Sequence, residues 1–103
     1  CLLAGLLLGF SLQSLAATDH ELGVQAYQSG EYETARQYWE KALSEGNASA
    51  AYNLGIALSK GLGGESDQRR AISLIKDAAQ AGLAAAEHKL ALAYYSGTGV
   101  PQD

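Results

Sequence analysis

The side chains able to do chemistry in this 103-residue chain are few and far apart. His20 and His88 are residue types that ligate metals or move protons, and Cys1 could act as a thiolate. A metalloprotease-type zinc site sets two histidines on one helical turn around a glutamate, as His-Glu-x-x-His, and neither histidine here has such a partner. Glu31, Glu33, Glu40 and Glu45 are interspersed with Arg36 and Lys41, which reads as solvated pairing on helix surfaces. The run Gly61-Leu62-Gly63-Gly64 is not a phosphate loop, since no Gly-Lys-Ser/Thr follows and no strand precedes it. No cofactor or metal is implied, and the chain does not read as an enzyme. The tyrosines remain, six in all, and their large rings with a polar tip suit a binding surface.

Composition narrows the setting. The length allows one modest domain, and a net charge of −4 argues against a nucleic-acid partner, which needs a basic surface. Every charged residue lies after Ala17. The uncharged opening, CLLAGLLLGFSLQSLAA, holds an apolar run of secretory length. Ser14 and Ala16 then stand at the −3 and −1 positions of a cleavage site. Residues 1–17 therefore read as a signal peptide whose basic start lies upstream of Cys1. An uncleaved membrane anchor is the alternative, although the run is short for a bilayer. A lipid-anchored Cys1 is a third reading, which would leave an apolar run at the mature start. Cleavage after Ala16 removes the single cysteine, so neither disulfide nor thiol chemistry supports the remaining domain. The expectation is an exported protein, periplasmic or secreted and of bacterial type, touching membrane only through this segment.

The elements that must position the tyrosines repeat. Residues 35–67 overlay 71–103 without gaps, matching at Ala35/Ala71, Ala42/Ala78, Gly46/Gly82, Ala48/Ala84, Ala50/Ala86, Leu54/Leu90, Ala57/Ala93, Gly61/Gly97, Gly63/Gly99 and Asp67/Asp103. Chance would give about two or three such identities in this composition. Trp39 falls over Ile75 and Ile56 over Leu92. A shorter copy precedes, with Leu22-Gly23 over Leu54-Gly55. Each unit reads as two helices. Thr18 and Glu21 form a capping-box pattern before a short first helix. The second helix covers YETARQYWEKALSE, the third about 48–60, the fourth about 67–81 and the fifth about 84–96. Gly46 and Gly82 sit where a left-handed residue would close a helix. Shared alanines and glycines let short helices approach closely, while Leu54, Ile56, Trp39 and Ile75 fill the gaps between them. The expected architecture is all-α, a right-handed α-solenoid of stacked helix-turn-helix units at about 19–47, 48–83 and 84–103.

These residues resemble the Sel-one-like repeat (SLR), a branch of the tetratricopeptide superfamily. Tyr94, Gly97, Gly99, Val100 and Asp103 fit its loop, and Ala71, Ile75, Ala78, Ala79 and Gly82 fit its second helix. Leu58 stands where Tyr is usual, Gly64 replaces Val, and Ala91 replaces the Gly of Leu-Gly, which suggests a degenerate middle loop. The match over residues 22–103 implies a third unit cut after Asp103, with an apolar face left on its first helix. A piece cut there is expected to be marginally stable or to self-associate.

The resemblance implies a scaffold that binds other proteins along the concave face of the solenoid, and a stacked array predicts the same groove. In the repeat register His20, Tyr52 and His88 share one slot and Tyr27, Ser59 and Tyr95 another, with Lys60 beside it. Tyr27, Tyr52, Lys60, His88 and Tyr95 are the expected protein-binding residues; packing of the tyrosines between repeats is the plainer reading of the same positions. An envelope adaptor holding peptidoglycan or polysaccharide is the second class. A third is the β-lactamase-like SLR group, whose paired cysteines are missing from these repeats.

Overall fold

The computed structural model describes residues 17–96, which form five helices with no strand among the described residues. They are α1 (Asp19–Gln28), α2 (Tyr32–Ser44), α3 (Ala48–Lys60), α4 (Gln68–Gln80) and α5 (Ala84–Ser96). The expected signal peptide and the loop ending at Asp103 lie outside the described residues.

Local chemistry explains where most helices start. The Glu21 amide donates to Thr18 Oγ1 at 3.2 Å, and the Thr18 amide donates to Glu21 Oε1 at 3.1 Å, completing the capping box. Asn47 and Asp67 open α3 and α4, accepting from the amides of Ala50 at 2.9 Å and Arg70 at 3.0 Å. The end of α2 is closed by Gly46 at φ +82°. The Asn47 amide reaches back to the Ala42 carbonyl at 3.1 Å, and the Gly46 amide to that of Leu43 at 2.9 Å. The same pair of bonds closes α4, from Leu83 to Ala78 and from Gly82 to Ala79. Both are Schellman closures, which satisfy carbonyls that the helix would leave unpaired.

The helices pack in chain order, α1 on α2 and α3 on α4, while α2 against α3 and α4 against α5 stack the hairpins into a solenoid. Ala35, Ala50, Ala71 and Ala78 are fully buried at the crossings. Trp39, Leu54, Leu58, Leu74 and Ile75 are the larger side chains of the same core. Trp39 lies on Gly23, where a β-carbon would come 2.3 Å from its Nε1. Ile75 lies on Gly55 in the same relation one unit later, 2.9 Å from Cγ1. The aromatic-to-aliphatic exchange thus leaves the packing scheme intact.

Two expectations need correction. Ile56 packs against the core only in part; it is half-buried and its open side lines a surface cleft. Arg36 does not pair with the surface carboxylates. Its Nε donates to the Leu62 carbonyl, and its Nη2 lies 3.3, 3.3 and 3.1 Å from the carbonyls of Ala57, Gly64 and Glu65. Backbone turning through glycines presents several oxygens to one guanidinium, whose fixed fork of donors matches them. The loop that looked degenerate is held from the facing helix.

Candidate functional site

The first helices of the units line an open cleft of about 480 Å³. From α1 come Val24, Tyr27 and Gln28, and from α3 come Tyr52, Asn53, Ile56 and Lys60. Trp39 of α2 closes the floor and Lys89 of α5 reaches in from the third unit. Residues 24 and 28 on α1, and 52, 56 and 60 on α3, are spaced by four, which puts each set on one helical face.

Tyr27 is the fixed wall. Its ring meets Tyr32 edge-on at 5.1 Å between centroids and tilts against Trp39 at 5.7 Å. The Trp39 Nε1 donates to the His20 carbonyl at 3.3 Å, anchoring the indole beneath α1. Asn53 Nδ2 donates to His20 Nε2 at 3.1 Å, so the imidazole joins the first and second units. Asparagine nitrogen has no lone pair to offer, so the ring nitrogen facing it is the acceptor.

Of the expected binding residues, Tyr27, Tyr52 and Lys60 come together in this cleft. His88 and Tyr95 are exposed on α5 and are not among its lining residues. Ser59 shares a slot with Tyr27 but faces a smaller space of about 150 Å³ between α3, α4 and α5, where its carbonyl accepts from Gln68 Nε2 at 2.7 Å. Sequence reasoning missed Val24, Gln28, Asn53 and Lys89. The spacing of four from Tyr52 to Ile56 to Lys60, carried back one unit to Val24 and Gln28, was the available signal for two of them.

Charge is distributed unevenly. No acidic residue lines the cleft, and neither Lys60 nor Lys89 forms an ion pair among the described residues. The ion pairs sit elsewhere: Lys41 with Asp19 at 3.7 Å, and Arg70 on both oxygens of Glu40 at 2.8 Å. The Arg70 hydrogen bonds hold the Glu40 carboxyl below its ordinary range and raise the guanidinium in turn. Bonds from Thr18, its backbone amide first, lower Glu21. No cluster of three or more His, Cys, Asp or Glu able to hold a metal occurs among the described residues, and no helix there is long and apolar enough to cross a membrane.

Comparison with known proteins gives a consistent assignment. A family model described as Sel1 repeat matches residues 19–47, 48–83 and 84–103. DAP3-binding cell death enhancer 1 from Mus musculus is 37% identical over 59 residues, which is 57% of this chain and 12% of that protein. The crystal structure of a protective antigen present in uropathogenic Escherichia coli strains, displaying an SLR fold, is similar with a TM-score of 0.77 at 34% identity. That match covers 82% of this chain and 19% of the antigen, so the chain spans less than a fifth of either relative.

Proposed function

The chain belongs to the Sel1 repeat family, and on that basis we propose that it is a non-catalytic scaffold that binds another protein along the cleft between its first and second units. The observation that carries this reading is the convergence of Tyr27, Tyr52 and Lys60 from two units over a floor of Val24, Ile56 and Trp39. Exposed aromatic surface over an apolar floor favours binding, because its burial releases water at small cost in side-chain entropy. The name of the mouse relative describes a protein-binding role. Export is part of the proposal, supported by the uncharged apolar run of residues 1–17 and by the antigenic role stated for the bacterial relative.

Tyr52→Ala tests the site, since Tyr52 is half-buried at the rim and its side chain makes no hydrogen bond among the described residues. Affinity capture from periplasmic extract should recover a defined partner with the parent protein and lose it with Tyr52→Ala, at unchanged helical circular dichroism. Equal recovery with both proteins would place binding elsewhere. A parallel incubation with purified cell-wall sacculi checks the adaptor reading, and retention there with no protein partner would favour it.

A further inference from the structure

Taking the cleft as a protein-binding surface, we infer that it selects an extended polypeptide segment in which an acidic residue lies close to a large apolar one. The apolar side chain enters between Tyr27 and Tyr52, and the carboxylate meets Lys60 and Lys89. This rests on the reading above and adds the chemistry of the partner.

Charge is the first observation. The chain carries seven basic residues against eleven acidic ones. Of the seven, Lys41 and Arg70 are engaged by Asp19 and Glu40, and Arg36 holds loop carbonyls. Two of the remaining four, Lys60 and Lys89, face the one cleft, from different units and with no carboxylate lining it. On a protein of net charge −4 this is a local inversion of sign, and it is complementary to an anionic group.

The polar lining indicates what carries that anion. Gln28 and Asn53 bring side-chain amides to the cleft, and an amide can both donate to and accept from a peptide group. Asn53 Nδ2 already donates to His20, which leaves its Oδ1 to accept a peptide N–H. Flanking amides over an apolar floor suit an extended main chain with alternating side chains. Two lysines are too few for a phosphate polymer, which would also face the acidic remainder of the surface.

The 103-residue chain can be titrated with fluorescent synthetic peptides, using anisotropy and the emission of Trp39, the single tryptophan in this sequence. One peptide alternates Asp or Glu with Leu or Phe. A second replaces the acids by their amides, a third replaces them by lysine, and a fourth replaces the apolar residues by serine. The acidic–apolar peptide should bind tightest, and its amide counterpart should bind about five- to tenfold more weakly. In Lys60→Gln/Lys89→Gln that preference should shrink to roughly twofold or less, with the lysine peptide gaining. Equal binding of the acid and amide peptides, or a preference that survives in the double variant, would overturn the acidic assignment while leaving the cleft as a binding surface. Binding of none of the peptides would overturn the extended-segment assignment, and Tyr52-dependent capture of a partner would then still uphold the cleft as a protein-binding surface. Tighter, lysine-dependent binding of oligothymidylate or heparin would overturn the polypeptide assignment in favour of a polyanion.

Discussion

Gly23→Ala is the sharpest test of how the first unit is assembled. A β-carbon at this position would lie 2.3 Å from Trp39 Nε1, 2.5 Å from its Cδ1 and 3.0 Å from its Cε2. Ordinary contact needs about 3.5–4.0 Å, so the helices must separate by roughly 1 Å or the indole must turn. Turning is resisted, because Trp39 is only 2% exposed, leans on Tyr27 and donates to the His20 carbonyl. Overpacking of this kind costs about 1–3 kcal/mol, and losing the Trp39 hydrogen bond adds about 1 kcal/mol. Against this stands a gain of about 1 kcal/mol from replacing glycine by alanine within a helix. The net expectation is a loss of about 1–3 kcal/mol, read by urea unfolding followed by far-ultraviolet circular dichroism. Trp39→Phe supplies the control. The smaller ring vacates the space the new methyl needs, so the double variant should be more stable than the two single losses predict, by about 1 kcal/mol or more. A Gly23→Ala protein as stable as the parent would refute the reasoning, because helix propensity would then outweigh the close approach.

Arg36→Met should destabilise the fold by about 2–3 kcal/mol, since several carbonyls lose a charged donor at once. Amides of residues 61–67 should exchange faster in that variant, and unchanged protection would contradict the assignment. Glu40 has a lowered pKa in the folded state because Arg70 donates to both of its oxygens. Its contribution is therefore present above the unfolded value and is lost as pH falls through the lowered folded value. Both partners are over 40% exposed, so the pair is worth less than ~1 kcal/mol after solvent screening. Thermal midpoints measured down the acid range should fall less steeply for Glu40→Gln than for the parent, and superimposable slopes would show that the pair does not act.

The parts of this fold that could be read from sequence are those fixed by short-range rules. Thr18 and Glu21 form the capping box because both bonds close within three residues. Gly46 and Gly82 end helices because each position needs a left-handed backbone. The overlay of Trp39 on Ile75 succeeded because both meet a glycine on the preceding helix. Arg36 was illegible for the opposite reason. Its partners lie 21 to 29 residues away, and nearby glutamates offered a plausible local alternative. The expected binding positions on α5 stand outside this cleft. Repeat equivalence put His88 in the slot of Tyr52, yet the neighbouring Lys89 is the residue that lines the cleft. Successive residues on a helix point about 100° apart. Lys89 is itself the equivalent of Asn53 at the 36-residue offset, and both line the cleft, so the signal lay in the register one residue beyond the slot of Tyr52 and His88.

The composition of the core also explains how fold and site can change independently. Among the described residues, nine of the fourteen buried apolar side chains are alanine. Small residues there set the spacing of the stack, and Trp39, Leu54, Leu58, Leu74 and Ile75 are the larger side chains buried among them. Truncating a fully buried residue such as Leu54 to alanine would cost about 2–5 kcal/mol. Val24, Tyr52 and Ile56 stand outside this framework, half-buried against it on the open side. Their side chains can therefore be exchanged with a smaller penalty, because part of each is already in water. Trp39 and Tyr27 are the exceptions, since each packs in the first unit and also forms a wall or floor of the cleft. A change at either would alter the proposed binding and stability together. Tyr52, Lys60 and Lys89 are thus the positions at which the proposed binding can be tested apart from folding.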